Sequence, residues 1–599
     1  MEKLQLENQY KTLCNKLIAE QNSNGCWTGK LSSSALAVAV SIVAIKLKGL
    51  PQNEERVNKG LRWLFNNVNA DGGYGDTPES ESNVSTSFLC YAAITFCQTH
   101  ELDGSRILKG IENYLESQNI SLKSGNISNS VLVHYGKDYT FSVPILSMLT
   151  ICRMLGDEDI RKIPQLPFEL TLLPASLYRF FNMQVVSYAI PALVAVGIYI
   201  FKKKNRANFL VKVIRKKSIK PAISKLNGLV PESGGFLEAI PLTAFVSMCL
   251  ISCGYTDNSI VDKGIGFLNN QQREDGSWPI DTDLSTWVTT LSIKALGDNL
   301  FTTINPESVE QMKNHLLSLQ YKEKHPFNGA EHGGWGWTSF SGSVPDADDT
   351  SGAILALSEM YQGNDDETKA IIDGCNWLTN LQNSDGGIPT FCKGWGRLPF
   401  DQSCADLTGH TLLAITCSLD ILGDKITAPQ KAKFKKCINK ASIYLQKNQH
   451  RLGSWMPLWF GNQNTSDKKN PVYGTAKVAT YIQDCLKYKW IDYKLRVELQ
   501  LMLTSAQNYL MQQQNDDGSW GGYRDLTGSI EETSLAICAL TKKDREVCMK
   551  GFKWLEKEYN TKGLRSKPIG LYFATLWYDE KLYPLTFYIE ALRRAQKPL

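Results

Sequence analysis

A short repeat decides the fold, and its last copy reads Gln514-Asn515-Asp516-Asp517-Gly518-Ser519-Trp520. Copies with the same spacing of Gln, Gly and Trp begin at Gln21, Gln272 and Gln449, and a copy at Gln382 has lost its Trp. Each copy lies between two segments with the apolar pattern of helices. Gly provides the left-handed residue that ends a helix, and the indole N–H of a buried Trp needs a hydrogen-bond partner. The repeat therefore predicts an all-α chain of helix pairs, an α/α toroid rather than a simple bundle.

Length and composition set the wider limits. A chain of 599 residues with 43% apolar and 21% charged residues is globular and long enough for two or more cores. The net charge of +5 is small for this length and gives no reason to expect nucleic-acid binding. The 15 cysteines show no C-x-x-C pairs, and the N-terminus lacks an apolar signal core. We therefore expect a cytosolic protein with reduced thiols.

Three carboxylates stand close together in Pro345-Asp346-Ala347-Asp348-Asp349-Thr350. An apolar segment, 353–360, follows at once, so the stretch fits a helix N-cap, where Asp and Thr accept hydrogen bonds from free backbone N–H groups. One Asp is enough for a cap, whereas three crowded carboxylates resist ionising together, and this keeps an acid ready to donate its proton. A metal site is the third interpretation, although calcium loops spread their oxygen ligands over about a dozen residues.

The amino-acid composition of the chain changes between residues 164 and 225. An apolar run from Val185 to Phe201, broken by Pro191, is slightly short for a helix that spans a bilayer. Basic residues follow it without an acidic neighbour: Lys202, Lys203, Lys204, Arg206, Lys212, Arg215, Lys216, Lys217, Lys220 and Lys225. This pattern predicts monotopic attachment, in which apolar side chains dip into one leaflet and cations meet anionic head groups. A buried helix followed by a solvated basic face is the alternative.

The order of these motifs, together with Asp406-Leu407-Thr408-Gly409-His410 and Leu172-Leu173-Pro174, resembles the squalene-hopene cyclase family of class II terpene cyclases. The resemblance runs from Gln21 to about Ala591. It implies two α/α-barrel domains of the βγ architecture, with a large apolar cavity between them and a membrane-facing entrance. We expect an inserted domain at residues 15–285, with its membrane-facing segment at about 164–225, and an acid-bearing domain at residues 290–599 plus 1–14.

The resemblance also implies the roles of the site residues. Asp348 falls on the general acid, Asp346 and Asp349 on its flanking carboxylates, and His410 on the histidine that orients and acidifies it. Tyr473 matches a tyrosine near the acid that returns its proton. The expected substrate cavity, with its last four members placed to within about a residue, contains Trp287, Trp337, Phe391, Trp459, Phe573, Trp577, Tyr578 and Tyr583.

These roles imply proton-initiated cyclisation of a linear polyprene, squalene or a related long isoprenoid. Protonating an alkene is very unfavourable, so the acid must be strong and kept from water, and aromatic faces stabilise the cations by about 0.5–2 kcal/mol each when desolvated. No metal or cofactor is expected. Departures from the hopene-forming pattern leave the substrate, the number of rings and the final step open; they lie at Ser32-Ser33-Ser34-Ala35-Leu36, Val288, Ser351-Gly352, Trp337 and Phe391.

Other functions stay open at this stage. A class II cyclase of another isoprenoid, C35, oxygenated or diphosphate-bearing, is one alternative, and a non-catalytic isoprenoid-binding toroid is another. A zinc-dependent prenyltransferase subunit needs an Asp/Cys/His set, for which Cys404 near Asp401 and His410 is the nearest candidate. Residues 365–369 do not complete a class I magnesium motif, and the Cys-Gly-Glu-Gln of thioester proteins is absent.

The expected partners are a small isoprenoid and a membrane surface. The resemblance places the protein peripherally on the cytoplasmic side of the cell membrane. Enzymes of the family are often dimers, so a homodimer is one expectation.

Overall fold

The computed structural model describes residues 3–120, 122, 127–135, 139–173, 186–204, 208–396, 398–572 and 576–596. The helices in chain order are α1 (Lys3–Ala19), α2 (Ala35–Lys48), α3 (Glu54–Asn66), α4 (Val84–Cys97), α5 (Ser105–Ser117), α6 (Ile127–Tyr135), α7 (Tyr139–Ile151), α8 (Asp157–Lys162), α9 (Val186–Lys204), α10 (Phe209–Asn227), α11 (Ile240–Ser252), α12 (Ser259–Gln271), α13 (Ser285–Leu296), α14 (Leu300–Thr303), α15 (Pro306–Leu319), α16 (Ala347–Glu359), α17 (Asp365–Leu381), α18 (Ala405–Leu422), α19 (Ala428–Asn448), α20 (Pro471–Cys485), α21 (Tyr493–Gln512), α22 (Ile530–Leu540), α23 (Arg545–Lys562) and α24 (Tyr583–Gln596).

Short 3₁₀ helices and one small hairpin complete the described secondary structure. The 3₁₀ helices are Pro51–Asn53, Phe168–Leu172, Phe236–Glu238, Gly297–Asn299 and Gly423–Lys425. Strand β1 (Gly570–Tyr572) pairs antiparallel with β2 (Leu576–Tyr578). The prediction of an all-α fold is confirmed, with this hairpin as a local exception.

The C-terminal part of the chain forms a closed double ring of helices. Helices α13, α16, α18, α20, α22 and α24 form the inner ring, each packed on the next, and α24 closes the ring on α13. The outer helices α15, α17, α19, α21 and α23 alternate with them along the chain and pack on their outer faces. Helix α1, from the start of the chain, packs on α24 and supplies the remaining outer helix. We call this unit the C-terminal ring.

A second ring lies between α1 and α13 in sequence. Helices α2, α4, α7, α9 and α11 form its described inner ring, and α11 closes on α2. Helices α3, α5, α10 and α12 pack outside them. We call this unit the N-terminal ring. Two α/α toroids are therefore present, as the fold-class prediction states.

The buried side chains divide into two cores. One cluster contains buried residues from 6–27 and 287–592, and the other is built mainly from residues 31–280. The N-terminal ring is thus inserted after the first outer helix of the C-terminal ring. The domain limits of 15–285 and 290–599 plus 1–14 stay predictions. The two cores divide between residues 27 and 31 and again between residues 280 and 287.

The repeated turns act as staples between helices. In the last copy, the Trp520 indole N–H donates to the Leu510 carbonyl ten residues earlier at 2.7 Å, and Gln514 Nε2 donates to the carbonyls of Gly518 and Val547. Gly518 has φ +95°, where a side chain would be strained. The sequence missed a further copy with a longer insertion, in which the Trp335 indole donates to Leu316 at 2.7 Å.

The apolar run expected to dip into a leaflet is a buried inner helix instead. Residues 194–201 of α9 are buried, because α9 is one of the inner helices of the N-terminal ring and packs against α7, α10 and α11. That part of the monotopic interpretation is wrong. Exposed apolar side chains occur nearby, at Leu170, Leu172, Leu173, Phe209, Leu210 and Ile214. No helix within the described ranges is long and apolar enough to cross a membrane.

Candidate active site

The three clustered carboxylates occupy the first turn of α16. Asp346 is the N-cap, and its Oδ1 accepts hydrogen bonds from the backbone N–H groups of Asp348 and Asp349, both at 2.9 Å. The Asp346 N–H donates to the Trp335 carbonyl at 2.9 Å, which ties the cap to the Gly- and Trp-rich turn before it. The cap interpretation is therefore correct for Asp346. It leaves Asp348 and Asp349 available for other contacts.

Asp346 and Asp349 are both buried, and the pKa of each is raised. Burial raises the pKa of Asp346 to about 7, and burial followed by the charge of Asp346 raises the pKa of Asp349 well above its usual value. Asp346 Oδ2 and Asp349 Oδ1 have no other hydrogen-bond partner among the described residues. A proton retained on Asp349 and directed at Asp346 satisfies both oxygens and avoids two charges side by side.

Asp348 is the member of the trio that points to a histidine. Its Oδ1 lies 2.6 Å from His410 Nδ1, which is carried by the neighbouring inner helix α18. The Asp348 side chain is 21% exposed, whereas that of His410 is 3% exposed. Burial lowers the pKa of His410, the bond to Asp348 opposes this, and the nearby ammonium groups of Lys477 and Lys294 lower it further. A neutral His410 with its proton on Nδ1 therefore donates to Asp348.

Asp406, one turn before His410, adds a further carboxyl to the site. The Cys404 thiol donates to it, and burial raises the pKa of Asp406 to about 6. Asp401, by contrast, accepts from the backbone N–H groups of Gly396 and Leu398. The three nearest zinc candidates in the sequence therefore contact different groups: Cys404 bonds Asp406, Asp401 accepts from backbone N–H groups, and His410 bonds Asp348.

An apolar cavity of about 130 Å³ lies against the acidic turn. All three carboxylates of the trio reach it, and so do side chains of both cores, among them Leu31 and Ile280 of the N-terminal ring. Five of the predicted cavity residues line it: Trp287, Trp337, Phe391, Trp459 and Tyr578. The acid motif therefore faces a largely aromatic space at the junction of the two rings.

Edge contacts hold the aromatic lining in place. The Phe391 ring stands edge-on to Trp337 at 6.0 Å and to Trp459 at 6.2 Å between centroids. The Trp459 indole donates to Thr390 Oγ1 at 2.6 Å and the Trp337 indole donates to Asp281 Oδ1 at 3.3 Å. Because their polar N–H groups are bonded, these rings are fixed by packing and hydrogen bonds together.

The remaining predicted residues lie elsewhere. Tyr583 is buried behind the lining, where its hydroxyl accepts the Trp287 indole N–H at 3.2 Å. Tyr473 is buried and stacks on Phe460 at 4.2 Å. Trp577 packs near Gly461, outside the cavity lining. Phe573 lies outside the described residues.

A second cavity, of about 320 Å³, lies inside the C-terminal ring. His410 and Tyr481 line it, together with charged side chains that include Lys294, Asp484 and Arg594. Of these two cavities, Asp348 lines the apolar one and His410 lines the charged one. The acid–histidine pair thus separates an aromatic space from a polar one.

Sequence reasoning missed several residues of this region. Asp281, Thr390 and Phe460 line the apolar cavity, and Lys477 is buried beside His410. The sequence offered one sign that Lys477 is unusual: it is the single charged residue in the first three turns of its helix, α20.

Comparison with known proteins agrees with the fold and the motif order. Residues 284–591, slightly more than half of the chain, match the squalene-hopene cyclase C-terminal domain, and residues 11–100 match the N-terminal domain. A squalene–hopene cyclase of Bradyrhizobium diazoefficiens is 22% identical over 93% of this chain and 89% of its own length. A squalene hopane cyclase of Aspergillus fumigatus is 29% identical over 32% of this chain.

Coverage differs between these relatives. The chain spans less than a third of the length of the first fungal relatives it matches. Among solved structures, an ent-copalyl diphosphate synthase from Streptomyces platensis superposes over 99% of this chain and 98% of its own, with a TM-score of 0.60 at 15% identity. That likeness concerns the fold alone.

Proposed function

Because the chain belongs to the squalene-hopene cyclase family of class II terpene cyclases, we propose that it cyclises a linear polyprene by protonating one alkene with Asp348. The observation that carries the proposal is the placement of Asp348. Its carboxyl reaches the aromatic cavity while His410 holds the other face of the group at 2.6 Å. It is the member of the trio that is neither the helix cap nor fully buried.

The acidic turn accounts for proton donation. The proton of Asp348 adds to an alkene carbon, and a carboxylate remains on Asp348. The N-terminus of α16 and the His410 N–H both stabilise that negative charge. Because the pKa values of Asp346 and Asp349 are both raised, a proton retained by this pair keeps its charge at one rather than two beside the new Asp348 carboxylate.

The aromatic lining accounts for the cation chemistry after protonation. The cation formed on the substrate closes rings along the polyene, and the faces of Trp287, Trp337 and Trp459 stabilise it by about 0.5–2 kcal/mol each without attacking it. Loss of a proton or capture of water ends the reaction. Tyr473, buried near Asp348, is proposed to return a proton to the acid.

The substrate is proposed to be squalene or a related isoprenoid. The cavity of about 130 Å³ is small beside the roughly 300–1,000 Å³ of typical ligand sites, which supports testing chains shorter than squalene as well. A solved structure of similar fold is a copalyl diphosphate synthase, so a diphosphate-bearing polyprene belongs in the same panel.

The decisive experiment is turnover of a substrate panel by the detergent-solubilised protein. Squalene, a C35 polyprene, an oxygenated polyprene and geranylgeranyl diphosphate are incubated separately, and extracts are compared by gas chromatography and mass spectrometry, after phosphatase treatment for the diphosphate. An isomer or hydrate of one substrate that disappears with Asp348→Asn supports the proposal. Unchanged substrate throughout, with tight binding retained, favours a non-catalytic isoprenoid-binding toroid.

We also propose that the protein docks peripherally on an anionic leaflet through α10. Phe209 and Leu210 are 79% and 73% exposed at its start, and Lys216, Lys217 and Lys220 are exposed further along it. Apolar side chains beside cations suit insertion at the level of anionic head groups, which are concentrated on the cytoplasmic face.

Flotation with liposomes tests this docking. Wild type is expected to float with phosphatidylglycerol vesicles and less with phosphatidylcholine vesicles. Lys216→Glu with Lys217→Glu reduces flotation, whereas the matched reversal Lys436→Glu with Lys440→Glu on α19 leaves it unchanged, because the latter pair lies on the C-terminal ring. Equal loss with both pairs contradicts docking through α10.

A further inference from the structure

Lys477 is a buried lysine without a hydrogen bond. It lies in the middle of α20, its side chain is 3% exposed, and Nζ has no hydrogen-bond partner among the described residues. A buried ammonium normally has an ion-pair or hydrogen-bond partner, because burying a charge without one is costly. The absence of such a partner therefore needs an explanation.

Four aromatic rings surround the Lys477 ammonium. Nζ lies 5.4 Å from the ring centroids of Trp287 and Tyr481, 5.6 Å from Phe587 and 6.0 Å from Tyr473. These rings come from three inner helices, α13, α20 and α24. Ring faces attract a cation by about 0.5–2 kcal/mol each when desolvated, so the site holds a charged lysine without neutralising it.

The rings that hold Lys477 also hold His410. The imidazole stacks on Tyr481 at 4.7 Å with an interplanar angle of 9°, and it stands edge-on to Trp287 at 6.1 Å. The same imidazole bonds Asp348. The positive charge of Lys477 therefore lies close to the acid–histidine pair, and the rings of Trp287 and Tyr481 contact both Lys477 and His410.

We propose that Lys477 supplies the positive charge that stabilises the Asp348 carboxylate left after proton transfer, with His410 as a neutral hydrogen-bond donor. This inference rests on the proposed function and refines it. When Asp348 gives its proton to the substrate, the carboxylate left behind is stabilised by an ammonium that keeps its own proton. Lys477 touches no reacting atom and is a positioning residue.

The protonation of the neighbouring groups is consistent with this assignment. Burial is the main cause of the lowered pKa of His410. The hydrogen bond to Asp348 opposes this shift, and the charges of Lys477 and Lys294 add to it. Lys477 itself has its pKa lowered to about 8 by burial and by Lys294. Lys477 is thus charged at neutral pH, and His410 is not.

The other charges near Lys477 come from every packed inner helix. Lys294 on α13 is paired with Glu590 on α24 at 3.6 Å. The remaining titratable groups that face this region are Asp348 on α16, Asp406 and His410 on α18, Tyr473, Tyr481 and Asp484 on α20, Cys538 on α22, and Arg593 and Arg594 on α24. Among the cations named here, Lys477 is the one without a carboxylate within ion-pair distance.

The test is kinetic and uses Lys477→Met, which keeps an unbranched side chain close to the length of the lysine stem and removes the charge. We expect kcat at pH 7 to fall about tenfold or more with KM within about threefold, because only the transition state carries the new carboxylate. In wild type kcat falls above about pH 8 as Lys477 loses its proton, and this alkaline limb is absent from Lys477→Met. Lys477→Arg keeps a charge at all these pH values and should recover much of kcat, also without the limb near pH 8.

Lys294→Met is the matched control. It removes a second lysine from the same region, but one whose charge Glu590 already offsets. We expect kcat at pH 7 to stay within about threefold and the alkaline limb to move to higher pH, because Lys294 lowers the pKa of Lys477.

Histidine NMR gives a readout independent of turnover. In protein labelled with ¹³C-histidine, the His410 signal, assigned by its loss in His410→Gln, should titrate at higher pH in Lys477→Met than in wild type. An unchanged His410 titration overturns the inference even if the protein cyclises nothing. Asp348-dependent cyclisation with an unchanged kcat and alkaline limb in Lys477→Met overturns the inference and leaves the proposed function standing.

Discussion

The two rings share one plan but differ in what fills them. In the N-terminal ring, α2 buries every residue from Ala35 to Ile45, none of them charged, and the inner helices α4 and α11 carry no charged residue. In the C-terminal ring every inner helix carries charge, including Asp348, His410, Lys477 and Glu590. Buried charge opposes folding unless it is compensated. The contrast supports the proposal that the C-terminal ring is the one in which stability is given up for chemistry.

Three buried carboxyls, one in the N-terminal ring and two in the C-terminal ring, illustrate this contrast. Asp76, in the N-terminal ring, accepts from Asn83 at 2.7 Å, from Thr86 at 2.5 Å and from the Trp577 N–H at 2.9 Å. Asp346 and Asp349 instead face each other, each with an oxygen that has no other described partner. A structural carboxylate is surrounded by donors, whereas the functional pair is left short of them.

Asp348→Asn should show the largest effect and separate chemistry from stability. We expect turnover to fall by about 10³-fold or more, because the general acid is lost, with little change in melting temperature since the side chain is partly exposed. Turnover is measured by product formation and stability by circular dichroism.

Asp76→Asn is the counterpart in the other ring. It should lower the free energy of unfolding by about 1–3 kcal/mol, because buried donors lose their acceptor, while turnover per folded molecule changes far less. Similar effects of Asp348→Asn and Asp76→Asn on both turnover and the free energy of unfolding would contradict the proposed difference between the two rings.

Lys477→Met should stabilise the protein while lowering its activity. The pKa of Lys477 is lowered to about 8 by burial, against 10.5 for a free side chain. A depressed pKa means that the stability linked to this group is present above the unfolded pKa and is lost as pH falls through about 8. Wild type therefore carries a cost of about 3 kcal/mol at pH 7, which the variant removes.

Lys48→Met provides the control for that stability change. Lys48 is also nearly buried, but its ammonium lies 2.8 Å from Asp262 and donates to the Thr256 carbonyl at 2.7 Å. Because this lysine is paired, its removal should destabilise the N-terminal ring. Urea unfolding at pH 7 should give opposite signs for the two variants, and the same sign would contradict the comparison.

Asp349→Asn should change how stability depends on pH. Burial raises the pKa of the Asp346–Asp349 pair, so the folded protein keeps at least one proton that the unfolded chain releases above about pH 4. A raised pKa gives stability that is present at low pH and lost as pH rises. One such proton lowers the free energy of unfolding by about 2–3 kcal/mol between pH 5 and 7.

The asparagine amide can donate to Asp346 without a titrating proton, so this part of the slope should disappear from Asp349→Asn. Urea unfolding of wild type and variant at pH 5, 6 and 7 measures the difference. Parallel slopes would show that the pair does not share a proton.

The sequence predicted the architecture because the repeat is local. The turn at Gln272–Trp278 reads directly as the end of one helix and the start of the next, and α12 and α13 flank it as expected. The apolar run in α9 was harder, because a buried inner helix and a membrane-dipping helix have the same composition. Only closure of the ring distinguishes them.

The site was predicted in part for similar reasons. Asp348 and His410 belong to recognisable motifs, and the fold brings them to 2.6 Å. The C-terminal aromatics were harder to place: Trp577 and Tyr578 are neighbours on β2, yet Tyr578 lines the cavity and Trp577 does not. Lys477 was missed because a lysine in a helix is normally exposed, and the lack of other charges in the first three turns of α20 is the single local sign that this helix is buried.

The smallest expected effect concerns the repeated Gln/Gly/Trp turn, which occurs in both rings. The Trp278 indole donates to Leu268 in the N-terminal ring, and the Trp520 indole donates to Leu510 in the C-terminal ring, both at 2.7 Å. Trp278→Phe and Trp520→Phe each remove one such bond and should each lower the free energy of unfolding by about 1–2 kcal/mol. Because both turns have the same geometry and both lie away from the acid, the two losses should agree closely and turnover should be retained. Urea unfolding measures the loss of unfolding free energy in each variant. Clearly unequal losses would show that the repeated turns, like the interiors of the rings, differ between the two rings.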